Sequence, residues 1–261
     1  MSFGAATAAD LPALRQLWMQ CFGDTEEYVN RYFLHSFVPE DVFVLREPEI
    51  AAMLISFPVT WIGPDGDEQP GAYLYAVCTH PDRRGTGCCR RLMAKSEQAL
   101  RERGCAFTCL RAADAGLTEM YRRMGYESSF TNRELVVPDA PGAEAQALAR
   151  QRVKPAQYYG LRQMALQGDF IDYDPVVLAH QARLGQLLSF NGGEAIGALE
   201  RYGSEGILKE YLGPESLLPA IKQALGLRTL IARTPGDAPF AMAKRLTPGP
   251  LPTGYLAFAF D

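Results

Sequence analysis

The sequence of 261 residues predicts an α/β protein built on a mixed sheet, and three observations carry that reading. Three strand-like runs separated by tight turns stand in series between Asp41 and His80, the pattern of an antiparallel meander. A helical run follows and leads back into a strand, "CAFTCL", so the strands flanking the helix are expected to lie parallel through a right-handed crossover. The second half of the chain repeats this order as a pattern of elements, without strong identity.

The elements read in order as follows. Thr7 and Asp10 stand in capping-box spacing before a helix whose one face carries Leu11, Leu14, Trp18 and Cys21, and Gly23 ends it. Asp24 and Glu27 repeat the box before Tyr28, Tyr32 and His35, with His35 expected as a half-buried face residue. "DVFVLRE", "IAAMLISFPVTWI" and "AYLYAVCTH" are the meander strands. The stretch "HPDRRGTGCCRRLM" comes next, and from Cys88 a helix turns Cys88, Cys89, Leu92, Met93, Ser96, Ala99 and Leu100 inward before closing at Gly104. After "CAFTCL", a short helix from about Leu117 to Met124 and a strand from Tyr126 complete the first half.

Around "VPDAPGAEAQA" periodicity gives way to proline, glycine and alanine, which places a junction near residue 140. Beyond it "QLLSFNGGEAIGALERYG" resembles "VFVLREPEIAAMLISF", "GILKEYLGP" resembles "AYLYAVCTHP", and "LRTLIARTP" resembles "CAFTCLRAA". The interval from Pro81 to Gly104 is about twice that from Pro214 to Gly226, so the second copy lacks the glycine–arginine stretch. Its helix starts directly in "ESLLPAIKQALG", with Ser216 as the expected cap and Pro219 in the tolerated first turn. "YDPVVLAHQARLG" is a further helix, capped by Asp174, with Pro175 at its first position and Gly185 at its end, and its His180 carries no partner signal.

Composition narrows the function. The longest apolar stretch, "IAAMLISFPVTWIG", is interrupted by Pro58 and falls short of the roughly 18 residues that a bilayer crossing needs, so no membrane partner is expected. The start "MSFGAATAADLPALRQLW" lacks the basic start and apolar core of a secretion signal, which points to the cytoplasm. A net charge of −4 gives no general attraction to nucleic acid. Any anion site must therefore be local. The 6 cysteines, Cys21, Cys78, Cys88, Cys89, Cys105 and Cys109, form no C-x-x-C and have no histidine pair nearby, so no metal is expected and they read as small buried, reduced thiols.

The chemistry concentrates in "HPDRRGTGCCRRLM". A helix N-terminus presents unpaired N–H groups and the positive end of the helix dipole, and a preceding glycine turn lets an anion approach the backbone. Gly85 and Gly87 meet that steric need, while Arg83, Arg84, Arg90 and Arg91 add charge, the last two with the alternative of facing solvent. A Walker A loop is excluded because Gly87 is followed by Cys88 rather than Lys. A dinucleotide fingerprint would need glycine at Arg90 and the first strand of a parallel sheet, neither of which is present. The same helix start would lower a thiol pKa at Cys88 or Cys89, but the one histidine in the stretch, His80, sits before Pro81 at a strand exit.

"RGTGCC", Arg84 to Cys89, resembles the [RQ]-x-x-G-x-[GA] acetyl-CoA motif of the GNAT N-acetyltransferases, which that family places after its fourth strand, although Cys89 stands where the family has glycine or alanine. Downstream, "YRRMGY", Tyr121 to Tyr126, resembles the family's Y-x-x-x-G-[FY] ending at a similar spacing. The resemblance covers about residues 1 to 135, and the architecture is similar to tandem acetyltransferases of the enhanced-intracellular-survival type. It implies a GNAT acyl-CoA N-acyltransferase fold, with residues 1–138 as the domain binding acetyl-CoA and 139–261 as a degenerate GNAT-like half. It further implies that the fourth and fifth strands splay to admit the pantetheine arm beside Val77, Cys78 and Thr79, while Arg84, Gly85, Thr86, Gly87, Cys88 and Cys89 hold the pyrophosphate.

The activity so implied is direct transfer of acetyl from acetyl-CoA to an amine of a small molecule or peptide. Tyr121 matches the tyrosine that protonates the CoA sulfur. Its alternative is a core tyrosine. Glu26, Glu27, Glu119 and the terminal Asp261 of the strand-like "GYLAFAFD" are candidates for the base that deprotonates the amine. The competing reading is a non-catalytic acyl-CoA sensor or interaction module. The acceptor and the oligomeric state are left open by the sequence.

Overall fold

The computed structural model describes residues 2–140 and 148–260, so the stretch expected as the junction lies partly outside the described residues and the candidate base Asp261 wholly so. The chain divides into two compact units, one of residues 1–61, 68–128 and 241–252, the other of 62–67, 129–240 and 253–261. No described helix is long and apolar enough to cross a membrane.

The first unit opens on β1 (Ser2–Ala5), which pairs antiparallel with β2 (Val42–Arg46) and was not anticipated from four residues with little pattern. The expected box forms at Thr7, whose N–H donates to Asp10 at 2.7 Å, and α1 (Leu11–Phe22) ends on Gly23 in the left-handed region with φ of 72°. The second cap differs from expectation. Thr25 caps α2 (Glu26–His35) by accepting from the Tyr28 N–H, because the Asp24 carboxylate is used by the Trp18 indole N–H at 2.8 Å. His35 ends that helix exposed to solvent rather than half-buried.

β2 pairs antiparallel with β3 (Ile50–Ile62), and β3 pairs with β4 (Glu68–Thr79). α3 (Cys88–Glu102) then leads to β5 (Phe107–Leu110), which lies parallel to β4 in the register Gly71 to Phe107, Ala72 to Thr108 and Tyr73 to Cys109. α3 forms where its periodicity predicts, burying Leu92, Met93 and Leu100 against Phe43, Leu54 and Leu74 of the sheet. Each such leucine stabilises the unit by about 1.5–3 kcal/mol. α4 (Ala115–Arg122) starts two residues earlier than predicted because Asp114 caps it by accepting from the Leu117 N–H, and β6 (Glu127–Val136) begins after Tyr126.

A late segment completes this unit. Residues Ala241–Arg245 pair antiparallel with β5, from Met242 opposite Leu110 to Arg245 opposite Phe107. Lys244 meets the buried carboxylate of Glu97 at 2.5 Å, and Arg245 donates to Gln69 at 2.6 Å. Nothing local in the sequence marks this pairing, since it joins positions more than a hundred residues apart.

In the second unit β7 (Arg150–Arg152), α5 (Pro155–Ala165), β8 (Phe170–Asp172) and α6 (Pro175–Leu184) precede the repeated order. Asp174 caps α6 as expected, accepting from the Val176 and Val177 N–H groups at 2.8 and 3.0 Å. β9 (Gln186–Phe190), β10 (Ala195–Tyr202) and β11 (Glu205–Leu212) are successively antiparallel, α7 (Leu218–Ala224) follows, and β12 (Thr229–Arg245) returns parallel to β11 from Glu205 opposite Thr229. This is the order of β2 to β5, and the repeat read from pattern is present in the fold. Ser216 does not cap α7. It sits in a 3₁₀ turn, and Leu217 precedes the helix with no side-chain cap. Of the described part of "GYLAFAFD", Gly254 to Phe260, only β13 (Gly254–Tyr255) is strand, while Leu256 to Phe260 lie buried outside any strand.

Candidate active site

The site begins with a mismatch in strand length. β5 stays beside β4 only as far as Cys109 opposite Tyr73, yet β4 runs on to Thr79. Ala76 takes a φ of +48° in this free stretch, outside the extended region that a regular strand keeps. The other edge remains engaged, with the His80 N–H donating to the Ala51 carbonyl at 2.8 Å. β4 thus presents an edge toward the departing β5 without strand partners, the kind of edge that can bond an extended ligand.

Beside this opening Gly85 and Gly87 hold φ of +75° and +81°, a region that side chains strain to reach, and a Cβ on either would meet nothing within 4 Å. Their space is open to a ligand. Gly87 is the N-cap of α3 and contributes no side-chain cap, which leaves the first-turn amides available for an anion. The Thr86 hydroxyl donates to the Arg83 carbonyl at 2.7 Å and so braces the turn.

The four arginines are not equivalent. Arg91 pairs with Glu47 at 3.0 Å and Arg83 donates to the Glu47 carbonyl at 2.9 Å, whereas Arg84 and Arg90 are exposed beside the glycine turn. Arg83 still lines the cavity with Arg84 and Arg90, while the Glu47 carboxylate neutralises Arg91. The buried Cys88 sulfur also turns toward this pair, 3.2 Å from Arg91.

A cavity of about 600 Å³ joins these features. Val77, Cys78, Thr79, Arg84, Gly85, Gly87, Cys88, Cys89 and Tyr121 all line it, while Thr86 does not. The Thr79 hydroxyl is buried and has no hydrogen-bond partner among the described residues. Leu117, Met120 and Met124 of the α4 region add an apolar wall. Sequence reading left these three out, although Leu117 and Met124 share a helical face with Tyr121 by spacing. Cys21 and Phe22 at the end of α1 also line the cavity, and nothing in their own neighbourhood signals it.

Burial dominates the titrating groups here. It raises the Tyr121 phenol well above its usual value, with Cys89 and Cys78 adding to the effect, so the hydroxyl keeps its proton. It also raises Cys89 to about 11, opposite to the lowering expected from the helix start. Cys21 donates to the Thr79 carbonyl at 3.3 Å, and its thiol is shifted down by the neighbouring Cys78 thiol, with Arg84 and His80 acting in the same direction against burial. The candidate bases lie elsewhere: Glu26 and Glu27 border a separate groove on α2, and Glu119 is on the surface, paired with Arg122 and Arg123 at 2.6 and 3.1 Å.

A sheet whose fourth and fifth strands part beside a glycine-lined helix start defines the class of acyl-CoA N-acyltransferase folds. Residues 3–129 match the family model of the acetyltransferase (GNAT) domain, which identifies this part of the chain as a GNAT domain. The fold is similar over 94% of the chain to a GCN5-related N-acetyltransferase from Anabaena variabilis, at 19% identity, TM-score 0.70 and 73% of that protein's length. It is similar to Eis1 from Mycobacterium abscessus at 10% identity, TM-score 0.64, over 94% of this chain and 74% of that one. A tandem GNAT protein from the clavulanic acid biosynthesis pathway matches at 11% identity, TM-score 0.54, over 95% and 99% of the two chains. At these identities each likeness is one of fold. No curated protein sequence matches the chain significantly.

Proposed function

We propose that the protein is an N-acetyltransferase that binds acetyl-CoA in the cavity between β4, α3 and α4 and passes acetyl directly to an amine of a small molecule or peptide. The observation that carries this is the convergence of the β4 edge, the open glycine turn and Tyr121 on one cavity. The residues suit the ligand: the unpartnered Thr79 hydroxyl and the edge at Val77 to Thr79 match an amide-bearing arm, and the helix start with Arg84 and Arg90 matches a pyrophosphate. On this reading residues of the first unit form the working domain, and the second unit is a degenerate copy, whose α7 starts without a glycine turn.

When bound, acetyl-CoA supplies an activated thioester. Tyr121 then acts as a donor. Because its phenol sits above a thiol's usual pKa near 8.5, it stabilises a leaving thiolate by a hydrogen bond more than by full proton transfer. The apolar wall of Leu117, Met120 and Met124 excludes water, which strengthens that bond.

The test is calorimetric titration with acetyl-CoA followed by assay of CoA release over a panel of alkyl amines and peptides. Saturable binding with release of CoA that depends on an amine is expected. Absence of binding overturns the reading, and binding with no turnover on any amine replaces it with that of an acyl-CoA sensor.

A further inference from the structure

The cavity carries more positive charge than a pyrophosphate requires. Arg83, Arg84 and Arg90 all line it, and among the described residues no carboxylate pairs with any of them. Each phosphate of a pyrophosphate diester brings a single negative charge, which the α3 amides with Arg84 and Arg90 already match. Arg83 is left over.

This arginine is held in place before any ligand arrives. It closes the 3₁₀ turn Pro81–Arg83 after β4, its carbonyl accepts from the Thr86 hydroxyl at 2.7 Å, and its Nη2 donates to the Glu47 carbonyl at 2.9 Å. Glu47 is itself anchored, because its carboxylate pairs with Arg91 at 3.0 Å. A carbonyl orients a guanidinium without neutralising it, so Arg83 keeps its charge and most of its five donors. The carboxylate next to it in sequence, Asp82, is 88% exposed, lies 3.9 Å from His80 and does not line the cavity. The result is a preorganised cation with no ligand assigned to it.

We propose that Arg83 reads a third phosphate of the acyl donor, a monoester on its ribose, and so selects donors that carry a 3′-phosphate over those whose ribose is unphosphorylated. A phosphate monoester bears about −1.5 to −2 charges at pH 7, more than either phosphate of the diester, and a guanidinium can take it bidentately. Arg83 and Arg84 are consecutive, with Cα atoms about 3.8 Å apart, which suits two phosphates of one nucleotide. The assignment rests on the acetyl-CoA reading above and deepens it. Because the third phosphate is remote from the thioester, its contact is the same in the ground state and the transition state. It should therefore appear in KM and not in kcat.

The experiment compares acetyl-CoA with its 3′-dephospho form by calorimetry on the full chain, at low ionic strength, where exposed charges are least screened. The wild type should bind acetyl-CoA about tenfold more tightly. Arg83→Ala should bring the two within about twofold by weakening acetyl-CoA alone, while Arg90→Ala should weaken both alike and keep the preference. Equal affinities in the wild type overturn the proposal, as does a preference that survives in Arg83→Ala or vanishes in Arg90→Ala. The wild-type comparison needs no variant, so a variant that misfolds does not shelter the proposal. Equal binding of both ligands removes the role of Arg83 and leaves the acetyl-CoA reading standing, whereas binding of neither overturns that reading and the proposal with it.

Discussion

The Tyr126 hydroxyl donates to the Glu97 carboxylate at 3.0 Å inside the first unit, and its ring stands edge-on to that of Tyr121 at 5.8 Å. The phenol has one proton, and Glu97 takes it, so the Thr108 hydroxyl at 2.9 Å must be the donor to Tyr126. Glu97 also holds Lys244. One buried carboxylate thereby fixes α3, the late strand segment and the aromatic ring beside the cavity. Tyr126→Phe should cost about 1–3 kcal/mol by leaving Glu97 and Thr108 short of a partner, measured by urea denaturation.

Gly87→Ala tests the helix start. At φ of +81° an alanine costs about 1–2 kcal/mol in backbone strain, with no clash to add to it. A turn that relaxes away from this conformation no longer presents the α3 amides, so acetyl-CoA affinity should fall by about tenfold while the fold survives. Calorimetry alongside circular dichroism separates the two effects.

Tyr121→Phe should lower turnover by about a hundredfold and leave acetyl-CoA affinity within about twofold, because the lost hydroxyl acts on developing charge at the sulfur. Steady-state rates with an accepted amine, paired with calorimetry, check this. A parallel loss of binding would assign Tyr121 to packing instead.

His180 predicts the direction of acid sensitivity in the second unit. Burial, with Arg183 adding, lowers it to about 3, while in the unfolded chain it titrates near 6.5. Between these values the unfolded chain binds a proton that the folded protein refuses, so stability is fully present above about 6.5 and lost as pH falls. Going from pH 7 to 5 should cost about 2 kcal/mol from this group. His180→Gln should flatten that part of the profile in denaturant melts at the two pH values.

Arg162 predicts a larger loss. It is fully buried on α5, with Nε 3.0 Å from Glu210, Nη1 3.0 Å from Asp172 and Nη2 donating to the Ile171 carbonyl at 2.8 Å. Arg162→Met strands the buried Glu210 charge and should cost about 3–5 kcal/mol. Replacing Glu210 by Gln in the same variant should recover part of it, as read by a double-mutant cycle.

The sequence by itself determined what short-range free energies decide: the helix from Cys88 through its apolar spacing, the Thr7 and Asp174 caps, the glycine turn at Gly85 and Gly87, and the parallel return of "CAFTCL". Even there, competition for one side chain could move a boundary, as when Trp18 took Asp24 and left Thr25 to cap α2. What only the tertiary structure decided are pairings between distant positions, whose closure leaves no periodic trace. Glu47 neutralises Arg91, residues 241–245 complete the first unit's sheet, and the Cys21 thiol reaches the Thr79 carbonyl across 58 positions of chain. That last meeting changes the cysteines most. By pattern all were small buried residues, but burial sets the ionisation of Cys89 and a neighbouring thiol with Arg84 sets that of Cys21, and those environments exist only once β4 and α1 are packed.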